Sequence, residues 1–129
     1  MFSDEELTLD EEDDPHLNGI VRTPSGMLFI VAERGSAFRS RDNGTSWERL
    51  TLPYDGSMFG ILSLGEGRLL AYGLRGNVLE SRDDGESWVP VETGTTLSLL
   101  GGAALPDGGA VIVGANGIVL HRIDADSPF

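Results

Sequence analysis

Three short runs of apolar residues stand at nearly equal distances along the chain. Each run is apolar at every position instead of alternating with polar residues, so each predicts a strand that is covered on both faces. Clusters of glycine, proline, serine and aspartate flank the runs and predict tight turns between short strands. The runs are residues 27–31, 69–72 and 110–113.

The first of these runs belongs to a group of four predicted strands. The other three are residues 17–23, 37–40 and 47–52, and turn-forming residues separate all four. The third strand of each group alternates between apolar and polar residues, so we expect the third strands to lie nearer the rim of the structure. Their polar residues are Arg39, Glu80 and His121.

A polar motif sets the period and the phase of the repeat. Residues 40–47 read Ser-Arg-Asp-Asn-Gly-Thr-Ser-Trp, and residues 81–88, which lie 41 positions later, read Ser-Arg-Asp-Asp-Gly-Glu-Ser-Trp. This pattern is typical of a structural turn, in which Asp and Ser accept hydrogen bonds from nearby N–H groups, Gly takes a positive φ, and Trp folds back to bury its ring. A third copy, at residues 121–129, keeps the Asp and an aromatic residue but has lost the Gly. The predicted turn residues are Ser40, Asp42, Gly44, Trp47, Ser81, Asp83, Gly85 and Trp88.

Repeated strands that are covered on both faces predict an all-β fold of the β-propeller type, in which four-stranded antiparallel sheets stack as blades around an axis. An acidic segment, residues 1–16, precedes the repeats. Its residues 5–9 fall at the fourth-strand position of a preceding blade, and the chain stops where a last fourth strand would begin. Natural propellers close with about four to eight blades. With three blades' worth of strands, we expect a segment of a longer propeller or a chain that pairs with itself, two copies giving six blades. The repeats are residues 17–57, 58–98 and 99–129.

The pattern G-x-x-x-x-S-R-D-x-G-x-S-W, at residues 35–47 and 76–88, resembles the Asp-box (BNR) repeat. With residues 73–88, the chain looks most like the photosystem II stability/assembly factor type of propeller. The resemblance covers residues 17–129 and implies a non-catalytic scaffold that holds a protein or an assembly intermediate on one propeller face. In families of this kind the box is generally a structural device away from the active site. The chain departs from the family in being much shorter than a full propeller and in its broken third box.

Charge and composition narrow the classes of partner. The formal net charge is −12, but eight of the 21 acidic residues lie in the first 14 positions, and all nine basic residues are arginine. Without a basic run, we expect no nucleic-acid partner. The chain has no cysteine, so it has no disulfide and no thiolate ligand. No apolar run approaches the ~18 residues of a membrane span, and no signal peptide is visible. We expect a soluble chain without membrane insertion, whose compartment stays open between bacterial periplasm and cytoplasm.

The alternative function is a fragment of a sialidase-like or other glycoside hydrolase, or a carbohydrate-binding propeller. Sialidases use a tyrosine nucleophile and an arginine cluster, and Tyr54, Tyr72 and the arginines supply these residue types. However, the Phe/Tyr-Arg-Ile-Pro motif that precedes the boxes of sialidases is absent. A calcium loop needs several oxygen ligands at regular spacing, and each box has a single Asp before its Gly. We therefore expect no enzyme activity, catalytic residue, metal or cofactor.

Successive strands of an antiparallel sheet run in opposite directions, so the turns between them lie alternately at two ends of the sheet. The box end carries the turns at residues 40–47 and 81–88, and the connection end carries the turns between second and third strands together with the links between blades. Arg34 and Arg75 fall at equivalent places on the connection end, near Tyr54 and Asp55. Arginine and tyrosine are enriched where proteins meet. We expect these four residues to form part of a contact surface for an acidic protein partner.

Overall fold

The computed structural model describes residues 15–129, which form three antiparallel sheets. Consecutive strands pair within each sheet, and the sheets have four, four and three strands. This part of the chain contains no α-helix, and no helix in it is long and apolar enough to cross a membrane. The predicted all-β fold is confirmed, whereas the strand predicted at residues 5–9 lies outside the described residues. The strands are β1 (Leu17–Arg22), β2 (Leu28–Ala32), β3 (Ser36–Ser40), β4 (Glu48–Thr51), β5 (Met58–Gly65), β6 (Arg68–Gly73), β7 (Val78–Ser81), β8 (Val89–Val91), β9 (Leu99–Ala104), β10 (Ala110–Gly114) and β11 (Val119–Arg122).

The apolar second strands pack into two cores at once. In β6, Leu69 and Ala71 belong to the core between the first and second sheets, whereas Leu70 and Tyr72 belong to the core between the second and third sheets. Successive side chains of a strand point to opposite faces, so a strand between two sheets is apolar at every position. The inner strands β1, β5 and β9 lie next to one another along the stack. The first core contains Phe29, Val31, Ala37, Leu52, Met58, Ile61, Leu69, Ala71 and Leu79, and the second contains Leu70, Tyr72, Val78, Leu99, Ala110 and Ile112.

The turns between second and third strands reverse the chain through left-handed backbone. Arg34 has a φ of 59° and is followed by Gly35 with a φ of 71°; Arg75 and Gly76 repeat the pair with 58° and 74°. Two successive residues with positive φ give the turn the twist that two antiparallel strands need. Glycine adopts this conformation freely, whereas for arginine it is sterically unfavourable because of the Cβ atom. The third sheet has Asn116 at the same place, with a φ of 57°.

The third strands lie further out than the second strands in their sheets, and two of their charged residues lie inside the stack. Arg39 and Glu80 are buried, and each reaches into the sheet that follows its own. The Arg39 guanidinium donates from Nη1 to the carbonyl oxygen of Asp84 at 2.8 Å. Glu80 accepts a bond from Nη2 of Arg122 at 3.1 Å, and that guanidinium is buried too. Alternation of apolar and polar residues does not by itself show which polar side chains find partners in a neighbouring sheet. His121, the third residue of this set, is exposed.

The two outer faces of the stack are covered unequally. On the first sheet, Ile30, Ala32 and Phe38 form a buried cluster against which Trp47 packs. Apolar residues of β1 on the same sheet remain exposed, and so do apolar residues on the outer face of the third sheet. They are Leu17 and Ile20 on the first sheet, and Leu100, Val113 and Val119 on the third.

Candidate functional site

The first box turn is held together by side chains of its own residues. Ser40 Oγ donates to Asp42 Oδ1 at 2.9 Å and accepts a bond from the N–H of Gly44 at 2.8 Å. The Asp42 carboxylate accepts the N–H of Ser46 at 2.8 Å and its hydroxyl at 2.5 Å. The indole of Trp47 donates to the carbonyl oxygen of Gly44 at 3.1 Å, which closes the turn.

The second box turn repeats this geometry almost bond for bond. Ser81 bonds to Asp83 and Gly85 at 2.8 Å each, and Trp88 donates to the Gly85 carbonyl at 3.1 Å. Both tryptophans are half-buried. Trp88 packs against the core between the first and second sheets, and Trp47 packs against the cluster on the outer face of the first sheet.

The box carboxylates are poor candidates for proton transfer. Hydrogen bonds from the hydroxyl and N–H of Ser46 hold the pKa of Asp42 at about 2, and the same bonds from Ser87 lower the pKa of Asp83. A carboxylate that accepts several hydrogen bonds is stabilised in its ionised form. Both groups are therefore ionised at neutral pH and engaged within their own turns, whereas a general acid or base needs a pKa near the working pH.

The third turn is built around a buried arginine instead of a serine. Arg122 stands where Ser40 and Ser81 stand in the earlier repeats, and it donates to the carbonyl oxygen of Gly108 at 2.9 Å. Its guanidinium lies 5.2 Å from the centroid of the Phe129 ring. A cation over an aromatic face is attracted to the ring. Because Arg122 also donates to Glu80 of the second sheet at 3.1 Å, this turn joins the second and third sheets at the box end without the glycine of the other turns.

At the connection end, the structure brings Arg34, Tyr54 and Asp55 to one place. The N–H of Gly35 donates to the carbonyl oxygen of Gly56 at 3.0 Å, which ties the arginine turn to the link between the first and second sheets. Gly35 lies so close to the backbone of Tyr54 and Asp55 that a side chain would not fit there. Arg34 itself is exposed, with Glu33 Oε1 3.7 Å from its Nη2.

Arg75 occupies the same position on the second sheet and borders a cavity of about 430 Å³. Thr95 lies against Gly76 as Tyr54 lies against Gly35, and Thr93 Oγ1 donates to the Gly76 carbonyl at 2.9 Å. The sequence predictions did not include these threonines. The 41-residue repeat could have located them, because it aligns Thr95 with Tyr54 and Thr96 with Asp55. Other residues lining the cavity are Asn77, Val78, Pro90, Val91, Glu92, Gly94 and Thr96.

No protein-family model and no curated protein sequence matches the chain. Solved structures do match, among them two of YCF48. YCF48 from Cyanidioschyzon merolae matches 94% of this chain with a TM-score of 0.75 and 20% sequence identity. A structure of YCF48 bound to D1 peptide matches 86% of this chain with a TM-score of 0.75 and 22% identity. The chain spans 40% and 38% of the length of those two chains.

This likeness shows the fold. The three sheets are blades of a β-propeller, as predicted. At this level of identity the likeness does not carry over residue roles.

The two tyrosines of the glycosidase alternative lie in different surroundings. Tyr54 packs against the core between the first and second sheets, whereas Tyr72 is buried in the core between the second and third sheets. Burial raises the pKa of Tyr72 because it disfavours the phenolate. A tyrosine nucleophile needs the opposite shift and needs access to substrate. Across residues 15–129, no group of three or more His, Cys, Asp or Glu is placed to hold a metal ion.

Proposed function

We propose that this chain is a non-catalytic propeller scaffold that binds a protein partner during the assembly of a complex. The observation that carries the proposal is the placement of Arg34 and Arg75 in left-handed turns at the connection end of two neighbouring blades. Each arginine lies beside a link between blades that offers polar groups. Two neighbouring blades thus each have an arginine at the connection end, in the same left-handed backbone conformation.

The backbone conformation of the two arginines supports a role beyond turn formation. A left-handed residue other than glycine costs roughly 1–2 kcal/mol, and asparagine tolerates this region best. The third blade has asparagine there, with a φ of 57° at Asn116. Residues other than glycine at the box end adopt this region too, so the connection end is distinguished by the residue type, an arginine at the equivalent place in two blades. A strained residue with an exposed charged side chain is a reason to look for function there.

The chemistry of the surface favours an acidic segment of a protein. A guanidinium binds a carboxylate with two parallel hydrogen bonds, and the backbone of Tyr54 lies against Gly35, the residue after Arg34. Asp55, at the same place, would restrict where negative charge can bind. YCF48 is a photosystem II assembly factor that has been found with a D1 peptide bound. We propose that the present chain also binds a peptide segment, through Arg34, Arg75, Tyr54 and Asp55.

The box residues have a structural role in this proposal. Ser40, Asp42, Gly44 and Trp47 use their polar groups within one turn, and Ser81, Asp83, Gly85 and Trp88 do the same in the next. Because their hydrogen bonds are already made inside the turn, these side chains have little capacity left for a partner. The box end is therefore proposed to stabilise the blades.

We further propose that other blades complete the ring around this three-blade segment. They come from a second copy of the chain or from the remainder of a longer propeller. Exposed apolar residues on the outer faces of the first and third blades support this part of the proposal, since an open propeller leaves such faces in water.

The binding proposal is tested with labelled peptides and fluorescence anisotropy. The probes are the D1 peptide found with YCF48 and an oligoglutamate peptide as a general acidic ligand. We expect the unmodified chain to bind at least one of them. Arg34→Glu and Arg75→Glu should each weaken that binding by about tenfold, which corresponds to about 1.4 kcal/mol.

Arg22→Glu is the matched control, because Arg22 is an exposed arginine at the box end of β1. This variant makes the same change of charge at the opposite end of the blades. We expect its affinity for the labelled peptides to stay within about twofold of that of the unmodified chain. An equal loss in all three variants would mean that net charge alone drives binding. That result, or no binding of either peptide, would overturn the proposal.

A further inference from the structure

The cavity of about 430 Å³ beside Arg75 lies at the connection end of the second blade, which has a blade on each side. All residues that line it fall within residues 75–96, so its walls are complete without any further blade. Val78 and Val91 form its base, and Arg75 and Thr96 are exposed at its rim. Ligand-binding cavities commonly measure roughly 300–1,000 Å³. A base of valine under a polar rim suits a side chain with an aliphatic stem and a polar end.

The cavity opens because the outer strand of the second blade separates from its neighbour one residue earlier than in the first blade. In the first blade, Thr51 pairs with Ser36 at the end of the β3–β4 ladder. The repeat aligns these residues with Glu92 and Asn77, and the β7–β8 ladder ends one pair before them. Glu92 and Asn77 therefore stand apart and line the cavity.

A threonine side chain accounts for this separation. In the first blade, the N–H of Leu52 donates to the carbonyl oxygen of Gly35 at 3.0 Å, and the leucine side chain is buried. In the second blade, the hydroxyl of Thr93 donates to the carbonyl oxygen of Gly76 at 2.9 Å. Because a side chain makes the bond in place of the backbone, the residues after β8 stand off from β7.

The arginine turn of the first blade has acidic residues around it. Glu33 Oε1 lies 3.7 Å from Nη2 of Arg34. Asp55 is close as well, since its Cα would lie 3.0 Å from a methyl group added to Gly35. A carboxylate that approached Arg34 would come near two acidic residues of the chain itself, and like charges repel each other.

The arginine turn of the second blade lacks both of these acidic residues. The repeat places Leu74 and Thr96 at their positions. Arg75 forms no ion pair with any of residues 15–129, although Glu92 lines the same cavity. Its exposed guanidinium is therefore available to a carboxylate of a partner.

We infer that this cavity anchors one acidic side chain of the bound segment, and that Arg75 contributes more to binding than Arg34. The carboxylate forms hydrogen bonds with the guanidinium of Arg75 and the hydroxyl of Thr96. The aliphatic part of the side chain contacts Val78 and Val91, so the longer glutamate fits better than aspartate. The inference rests on the proposed function and adds Thr96 as a residue that decides where the negative charge binds.

Exchange of the two equivalent link residues tests the inference with labelled oligoglutamate and fluorescence anisotropy. Thr96→Asp gives the second blade the acidic residue of the first and should weaken binding by about tenfold. Asp55→Thr removes that acidic residue from the first blade and should tighten binding by about threefold. The matched controls make the same changes of charge in exposed residues of the box end. Thr45→Asp and Asp126→Thr should each bind within about twofold of the unmodified chain.

Nuclear magnetic resonance of the isotope-labelled full chain tests the cavity without a peptide. The probe is N-acetylglutamate amide, which has one side-chain carboxylate. The amide signals of Gly94, Thr95 and Thr96 should shift more than those of Gly35 and Asp55. N-acetylglutamine amide has nearly the same shape without the charge, and it should leave all of these signals in place.

Equal losses of affinity in Thr96→Asp and Thr45→Asp would overturn the inference and leave peptide binding by the chain intact. Equal shifts of the signals at the two arginine turns would overturn it as well. If no peptide binds, the proposed function fails and the resonance signals alone decide the subsite. Shifts confined to the second blade then support it, and unmoved signals overturn it. The failure of the subsite and the failure of the proposed function can thus be told apart.

Discussion

The two ends of the blades come from the same repeat but use their polar residues in opposite ways. At the box end, the side chains of Ser40 and Asp42 form hydrogen bonds within their own turn, and Arg122 forms an ion pair between two blades. At the connection end, Arg34 and Arg75 occupy an unfavourable backbone region with their side chains exposed.

This difference separates residues that stabilise the fold from residues that are available for binding. In most of a protein, each residue type suits the backbone conformation and the environment that the fold requires. Exceptions are expected at functional sites. Residues other than glycine with a positive φ occur at both ends, and those of the box end are Asn43, Glu66, Asp84 and Asp107. The connection end differs in having arginine at the equivalent position of two blades, and arginine tolerates this region less well than asparagine or aspartate. Stability should therefore depend mainly on the box end and binding on the connection end.

The largest expected effect is the loss of the buried ion pair at the box end. Arg122→Met removes the buried partner of Glu80 and leaves it only the half-exposed Arg82, whose Nη2 lies 3.5 Å from Glu80 Oε1. Removal of one member of a buried pair costs about 3–5 kcal/mol, and we expect a loss at the lower end of this range. The side chains of Glu80 and Arg122 are nearly inaccessible to solvent. Urea unfolding followed by circular dichroism measures the change in the free energy of unfolding.

The double variant Glu80→Leu/Arg122→Met is the control for this pair. Replacing both charges by apolar side chains of similar volume removes the unpaired buried charge, and such changes are often close to neutral. We expect the double variant to recover most of the lost stability. If it were as unstable as Arg122→Met, the bond of Arg122 to Gly108 and its contact with Phe129 would account for the loss instead.

A smaller loss is expected from the tryptophan that closes the second box turn. Full truncation of a buried tryptophan costs about 3–5 kcal/mol, and we expect about 2 kcal/mol for Trp88→Ala because the ring is half-buried. Thermal melting measures the effect. Val89→Ala, at the exposed neighbouring position, should change stability by less than about 0.5 kcal/mol. Equal melting temperatures for both variants would show that the box end does not depend on its aromatic residue.

The box carboxylates also predict how stability changes in acid. Asp42 has a pKa of about 2 in the folded chain, below the value of about 3.9 expected when unfolded. A lowered pKa contributes stability above the unfolded value and loses it as the pH falls through the folded value. Unfolding followed from pH 5 to pH 2 should therefore show a loss that Asp42→Asn makes shallower. Ser46→Ala, which removes the main donor to Asp42, should move the loss to higher pH; an unchanged curve in both variants would contradict this account.

Much of the fold could be predicted because the same pattern of strands and turns recurs along the chain, so each copy can be compared with the others. The apolar runs located β2, β6 and β10, and the box motif supplied the phase. The sequence could not show which polar residues of the third strands would be buried. Arg39, Glu80 and His121 align with one another, but the first two find partners in the next blade and the third faces outward where no described residue follows. Their environments depend on contacts between sheets, which the pattern within one strand does not encode.

The positions of the proposed contact residues could be predicted, and their role stays a prediction. The parity of strands placed Arg34 and Arg75 on the connection end, and the structure brings the backbone of Tyr54 and Asp55 against Gly35, which follows Arg34. The left-handed conformation of the two arginines could not be read from residue type, because arginine rarely adopts it. Thr93 and Thr95 were missed because threonine in a turn carries no chemical signal until the repeat is used to align it with Tyr54.

The smallest expected effect on stability is a gain at the connection end. Arg75→Asn places at this turn the residue that the third blade already has, and relief of the left-handed arginine should stabilise the fold by about 0.5–1 kcal/mol. Peptide affinity should fall at the same time, because the guanidinium is lost. Arg82→Asn is the control at the box end, where Arg82 donates to the Ala125 carbonyl at 3.0 Å, and it should bring neither the gain nor the loss of affinity. If Arg75→Asn lowered stability or kept full affinity, Arg75 would belong to the turn and not to a binding surface, and the division between the two ends would not hold.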